Sequence, residues 1–538
     1  LWSDDSVLAE HQIEAADRAE ELLRTRGGVL LADEVGLGKS FVAAEVMRRF
    51  GDGELIVPAA LVVQWRETLA EFALDARVFT HDGIVSDPFV STPSRRLVVV
   101  DEAHAFRNPR TQRYAALARR TTGARVLLVT ATPVCNSIAD LEALVRLIAR
   151  DDLLADVGVP SIDVAFATRE VDVIVNTLVI RRDRSVLPPS LQFGELQRSV
   201  IRHPVLDVPM IDELRFPLVG EHAILRRFLR RRLESSEAAL IESLRRQLRF
   251  YERALAAIAA GRSLPKRDYR RAFAHEEDRD AFQDVLFWEL FAPPGETDPI
   301  TIREEMSRIE SLIAAARSSP CEKRAMLVDL VANTREPMLI FTGAVATARD
   351  LQSVLKCGLV TSRERSPDAV LHAFRVGRID VVVSTDMAAE GLNLQRAGTV
   401  VHYDLPWNPV KLDQRNGRAH RIGQARDSVR AVYFVPQSRE TGILEIITRK
   451  NRVRRRVLAP REAAFANVHP TLPARLTSDS AFSKLSAATT LALPEILARR
   501  HKAGIEQLME EMSREYLDQR RLDDLVALVL CDSETPRL

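Results

Sequence analysis

The sequence predicts an α/β protein in which two parallel-sheet lobes flank a helical insert and a helical tail follows the second lobe. Three observations predict it. Apolar strands alternate with amphipathic helices over residues 1–187 and again over residues 321–458, the pattern of doubly wound sheets whose loops gather at one edge. Residues 188–320 read as a linker followed by helix without strands, and residues 459–538 as a polar stretch with two further helices. The first strand runs into a glycine-bearing turn, LADEVGLGKS, which marks that lobe as the phosphate-cradling one.

Taken in order, residues 8–24 form an amphipathic helix with Ile13, Ala16, Ala19 and Leu22 on one side. Gln12 near its start has two readings: an amide that reads an adenine edge, or a solvated polar residue, which spacing alone favours. In the turn that follows, Gly36 and Gly38 let backbone N–H groups approach phosphates, Lys39 reaches the β/γ-phosphates and the Ser40 hydroxyl reaches Mg²⁺. The helix FVAAEVMRRF then presents its positive dipole end to the same anion. Asp33 occupies the slot where this loop pattern usually starts with Gly.

The apolar strand of LVVVDEAH ends in Asp101 and Glu102. Asp101 is placed to hold Mg²⁺ through water and Glu102 to polarise an attacking water. A lone acidic pair at a strand end is commonplace, but this one follows a phosphate loop in the same sheet. RVLLVTATP ends in Thr130 and Thr132, whose hydroxyls relay between two ligands or cap the next helix.

In the insert, Ser235–Ser236 starts a long helix and Gly261 stops it, with Leu240, Leu244, Leu248, Tyr251, Leu255 and Ile258 on one face. Its arginines, and those of ILRRFLRRRLE before it, fit a phosphate-tracking face or a solvated face paired with local Glu equally well. The second lobe reads as helix KRAMLVDLVANT, strand MLIFTG, helix VATARDLQSVL, strand IDVVVST, strand TVVHYDLP, an arginine-dense loop and helix, and strand VRAVYFV. It has no phosphate loop of its own.

The composition bounds the partners. A formal net charge of +1 neither demands nor excludes nucleic acid, so local patches decide. The four cysteines form no CxxC and offer neither a zinc knuckle nor a disulfide framework, which fits a reducing compartment. The longest apolar run, residues 55–63, is broken by Pro58 and falls short of the ~20 residues of a membrane span. No membrane partner and a cytoplasmic, nucleoid-associated location are therefore expected, in a bacterium to judge from the Arg- and Ala-rich composition.

Read together, HQ, LADEVGLGKS, VVVDEAH, TATP, STDMAAEGLNLQ, YDLPWNP and QRNGRAHRIGQ resemble the Swi/Snf-type ATPases of helicase superfamily two. The likeness covers both lobes. It implies RecA-like lobes, ATP and Mg²⁺ as cofactors, and a nucleic-acid-stimulated ATPase. It makes Gln12 an adenine reader, and Asp33, Gly36, Gly38, Lys39 and Ser40 the phosphate cradle. Asp101 and Glu102 become the hydrolytic pair of a DEAH box, with Ser40 and Asp101 on the metal. His104, Thr130, Thr132, Thr385, Glu390, Gly391, Asn393, Gln395 and Trp407 would couple hydrolysis to DNA. Gln414, Arg415, Arg418 and Arg421 would face the triphosphate from the second lobe, where an always-charged, planar Arg suits the developing γ-phosphate charge. Double-stranded DNA is the implied track, crossed without strand separation. Strand-separating helicase, RNA translocase and, least favoured, non-catalytic scaffold are the alternatives. The insert resembles bacterial members that associate with RNA polymerase or act in phage defence, so RNA polymerase or defence components are the implied protein partners. Three departures stand out: Ser40 for the usual Thr, a short segment between Trp65 and Asp101, and Asn416 where an apolar residue is usual.

Overall fold

Every strand pairing is parallel among the residues the structure describes. The computed structural model describes residues 8–437, apart from 52, 88–95, 136, 188–193, 206–207, 219–221, 263, 265, 274–297, 319–320, 362–363, 365–366, 387–393, 407–408 and 422–423. The expectations for Glu390, Gly391, Asn393, Trp407 and the tail 459–538 fall outside the described residues. The chain forms two compact units, residues 8–187 with Arg421 and residues 194–420 with 424–437.

The first unit runs α1 (Glu10–Thr25), β1 (Gly28–Leu31), α2 (Lys39–Phe50), β2 (Gly53–Val57), α3 (Val62–Glu71), β3 (Arg77–Thr80), α4 (Gly83–Ser86), β4 (Leu97–Asp101), α5 (Gln112–Thr121), β5 (Arg125–Val129), α6 (Ile138–Ile148), α7 (Ile162–Thr168), α8 (Asp172–Leu178) and β6 (Val179–Ile180). The sheet order is β3-β2-β4-β5-β1-β6. Leu30, Val98, Val100 and Leu128 enter the core on one sheet face, and Leu31, Val99, Leu127 and Val129 the core on the other. A strand covered on both faces must be apolar at every position, which is why these strands read as unbroken apolar runs. The order sets β4 beside β5 and β5 beside β1, so the phosphate loop and the ends of both site-bearing strands share one edge.

The second unit runs β7 (Glu195–His203), α9 (His222–Ser235), α10 (Glu237–Ala259), α11 (Lys266–Phe273), α12 (Pro299–Ser318), α13 (Glu322–Ala332), β8 (Met338–Thr342), α14 (Val345–Leu355), β9 (Gly358–Val360), α15 (Pro367–Arg375), β10 (Val381–Thr385), β11 (Thr399–His402), α16 (Pro409–Asn416) and β12 (Ser428–Pro436). Its sheet order is β7-β12-β11-β8-β10-β9. Residues 195–203 are therefore not linker but the edge strand of the second sheet, paired along β12 from Glu195–Ser428 to His203–Pro436. The insert begins only after that strand. Ser236 caps α10 by accepting the Ala239 N–H, and Leu240, Leu244 and Tyr251 are buried against α9 and α12. Ile258, near the end of the helix, is exposed instead. Among the described residues no helix is long and apolar enough to cross a membrane.

Candidate functional site

The phosphate loop connects β1 to α2. Gly36 and Gly38 both hold positive φ, at 100° and 78°, a left-handed backbone that a side chain disfavours. At Gly38 there is also no room, because a Cβ would collide with the Gln12 amide. Gln12 uses that amide locally: its Oε1 accepts the Ala9 N–H at 3.0 Å and its Nε2 donates to the Leu37 carbonyl at 3.2 Å. His11 Nε2 reaches the same carbonyl at 3.3 Å. Both residues thus brace the loop from α1.

Lys39 donates to the carbonyls of Asp33 and Glu34, at 2.8 and 2.9 Å. Burial lowers its pKa, while the surrounding carboxylates of Asp33, Glu102, Asp101 and Glu34 oppose the shift. Among the described residues its direct partners are neutral main-chain oxygens, so there a cation is held at a helix N-terminus without a contacting anion. That arrangement fits a phosphate. Ser40 follows in the first turn of α2, partly exposed.

Asp33 is fully buried. Its Oδ2 receives Arg182 Nη2 at 2.5 Å and its Oδ1 receives the Arg182 backbone N–H at 2.9 Å. Arg182 also donates to the His11 carbonyl. This carboxylate ties the loop's start to the chain just beyond β6, which explains an aspartate in a glycine slot. Asp33→Ala is expected to cost about 2–3 kcal/mol of stability, below the full price of breaking a buried pair because Arg182 keeps some water contact. Thermal denaturation measures this; an unchanged midpoint would mean the pair contributes nothing.

At the end of β4, Asp101 Oδ2 accepts the Trp65 indole N–H at 2.7 Å and Oδ1 accepts the Glu102 N–H at 2.8 Å. Burial first, and the adjacent Glu102 charge second, raise its pKa above the usual carboxylate range. Glu102 sits at φ 48°, a left-handed backbone rare outside Gly and commonly found where a site imposes strain. His104 Nδ1 lies 3.1 Å from Glu102 Oε2 and 3.2 Å from Thr130 Oγ1. Thr130 Oγ1 accepts the Thr132 N–H at 3.1 Å. The end of β4 is thereby linked through His104 to the end of β5.

In the second unit, Thr385 is buried at the end of β10 and Gln395 is partly exposed. The Leu394 N–H donates to the Arg418 carbonyl at 3.0 Å, joining that loop to the segment after α16. Arg421, which groups with the first unit, is partly exposed like Gln414 and Arg418, but Arg415 is buried. Its guanidinium grips Asp386 with two bonds, at 2.6 and 3.1 Å, and the Asp404 carbonyl with a third at 2.8 Å. Arg415 therefore anchors α16 to the sheet edge, where the resemblance implied a residue facing the triphosphate. Asn416 is equally placed: it accepts from His402 Nε2 at 2.8 Å and donates to the Tyr433 hydroxyl at 3.0 Å. Two buried polar groups under α16 account for an amide where an apolar residue was expected.

Sequence reading did not find the Trp65–Asp101, Asp33–Arg182 or Arg415–Asp386 contacts. Asp386 and Asp404 lie in the quoted stretches STDMAAEGLNLQ and YDLPWNP, so the signal there was an acidic residue with no role of its own, while Trp65 marked only one bound of the shortened segment.

The SNF2-related domain family matches residues 86–156, which include Asp101–His104 and Thr130–Thr132, and the helicase conserved C-terminal domain family matches residues 322–423. These two domains are the pair found in Snf2-type ATPases of helicase superfamily two, the group that the sequence resembles. The enzyme is a helicase-like ATP hydrolase built on two parallel-sheet lobes. The chain is 27% identical over 456 residues to "Uncharacterized ATP-dependent helicase YqhH" of Bacillus subtilis (strain 168), an alignment over 78% of this chain and 73% of that one. Among solved structures it is similar to the Sulfolobus solfataricus SWI2/SNF2 ATPase core in complex with dsDNA, with 15% identity, TM-score 0.33, and coverage of 93% of this chain and 97% of that one. The Pyrococcus furiosus Hef helicase domain is similar at 16% identity and TM-score 0.36, covering 80% and 95% of the two chains.

Proposed function

We propose that this Snf2-type ATPase is a translocase on double-stranded DNA that displaces or remodels bound protein without separating the strands. The observation that carries the reading is the contact chain Glu102–His104–Thr130–Thr132, which ties the hydrolytic carboxylate to the turn that the family resemblance assigns to DNA coupling. Bound ATP with Mg²⁺ supplies an electrophilic γ-phosphoryl whose charge the ion partly neutralises. Lys39 and the amides at Gly36–Ser40 hold the phosphates, Ser40 and Asp101 serve the metal, and Glu102 orients and deprotonates water. Arg418 and Arg421 take up charge developing on the transferred group; such an arginine is worth about 10³–10⁵ in rate in other nucleotide hydrolases. As the family resemblance implies, turnover then involves closure, and repeated closure steps the protein along its track.

DNA would be held by backbone contacts rather than base readout. The test compares ATPase rates with duplex DNA, single-stranded DNA and RNA. Duplex DNA is expected to raise a low basal rate, and six engaged phosphates would give log K against log salt a slope of about −5. A labelled duplex should release a bound streptavidin but not its complementary strand. Stimulation by RNA alone, or released single strands, would replace the track or the mechanism. From the likeness of its insert, we place the motor in bacterial phage defence, so defence components should co-purify with it; RNA polymerase in their place would move it to transcription.

A further inference from the structure

Helices α9 and α10 of the insert meet at Ser235 and Ser236, both buried. Ser236 Oγ, besides capping α10, lies 2.7 Å from Thr347 Oγ1 on α14. Ser235 Oγ lies 2.8 Å from the same hydroxyl and donates to Asp404 Oδ2 at 2.7 Å. From below, Lys323 on α13 donates to the Glu234 and Ser235 carbonyls at 2.5 and 3.2 Å, placing a cation on the last carbonyls of α9. Hydroxyls and charge thus take part in seating the insert on the second lobe.

Asp404 is the shared member. It follows β11, and its carboxylate also accepts Thr342 Oγ1 and the Gly343 N–H, each at 2.7 Å. Its carbonyl accepts from Arg415, and its Oδ1 stands 3.7 Å from Arg415 Nη2. Asp386 after β10 holds the Nε–Nη2 edge of that guanidinium, while the Asp404 carbonyl takes Nη1. Since β8 lies between β10 and β11, Arg415 spans the end of β8 with one carboxylate on either side. One of these two clamps is the residue on which the insert sits.

We propose that the α9–α10 junction of the insert is a positioning element for the arginine-bearing segment 414–421, acting through Ser235 and Asp404 on Arg415. The inference rests on the reading that this segment faces the nucleotide. A fully connected buried polar network fixes one orientation where an apolar contact of equal area would tolerate several. Arg415 is the residue through which that orientation reaches Gln414 and Arg418, which flank it in the chain. Anything that shifts the insert, such as a protein or nucleic acid bound to its outer face, would then change turnover without touching the nucleotide.

The test uses the whole chain, with kcat, the KM for ATP and the thermal midpoint read for each variant. Ser235→Ala and Asp404→Asn are each expected to lower kcat about tenfold or more, the scale of losing a hydrogen bond to a charged group, with KM nearly unchanged. Combined with Arg415→Lys, neither should add a further loss, because all three act through one guanidinium. Losses that multiply in the double variants, an unchanged kcat in Ser235→Ala, or KM and midpoint falling in step with kcat would overturn the proposal. Arg418→Lys is the separate control. If it leaves kcat unaltered, the nucleotide-facing reading of the segment fails, whatever Ser235 and Asp404 do.

Discussion

Glu102→Gln is expected to cut ATP turnover by about three orders of magnitude while nucleotide binding and fold persist, the scale of removing a positioned general base. The substitution keeps size and shape, so the left-handed turn at residue 102 and the Trp65–Asp101 contact beside it should survive. Only the charge that draws a proton from water is lost. Lys39→Ala should fail differently, because its ammonium is the group aimed at phosphate and its removal weakens nucleotide binding as well. A fluorescent-nucleotide titration separates the two: the Glu102→Gln protein binds nucleotide without turning it over, whereas the Lys39→Ala protein binds poorly. Turnover within tenfold of the parent in the Glu102 variant would remove this carboxylate from the hydrolytic role.

The second large effect is on stability in acid. Burial pushes His203 and His402 down to about 3 and His81 down to about 4, from an ordinary 6.5. Each neutral ring donates one hydrogen bond: His81 to the Asp101 carbonyl, His203 to the Pro204 carbonyl and His402 to Asn416. Above pH 6.5 the folded and unfolded chains both leave these rings neutral, and the contribution is complete. Below 6.5 the unfolded chain takes up protons that the folded one refuses, so stability falls as the pH approaches 3. At pH 4 the loss is about 3 kcal/mol for each of His203 and His402. Thermal midpoints between pH 7.5 and pH 4 should therefore fall steeply. His402→Phe, which keeps a ring stacked on Tyr433, should flatten the slope even if it lowers the midpoint at neutral pH. A parallel slope in that variant would exonerate His402.

Buried strands and the motifs at their ends were readable because burial on both faces leaves a continuous apolar run, as in LVVVD at β4 and RVLLV at β5. β7 escaped for the converse reason. It is an edge strand with Glu195, Arg198 and Arg202 among its residues and much of its length exposed, so neither an apolar run nor a clean alternation marks it. Short strands such as β6, of two residues, are set by their neighbours rather than by their own composition. At the site, loop and carboxylate positions followed from spacing. The direction of Arg415 did not, because its partners Asp386 and Asp404 come from the ends of two other strands. A residue's type is local information, while which carboxylate it meets depends on the closed sheet.

The pairing of β7 with β12 also governs how the polypeptide is made. The first lobe has all its strands by residue 180, so its sheet is complete long before synthesis ends. The second opens with Glu195 and closes only when its partner Ser428 has emerged, after the entire insert has been threaded between them. Until then β7 carries an unsatisfied hydrogen-bonding edge, the kind of surface that recruits strands from other chains. Loop closure over such a span is slow. The ribosome thus releases a finished lobe one beside an unfinished lobe two, and the nascent chain is most exposed to aggregation in the interval between those two strands.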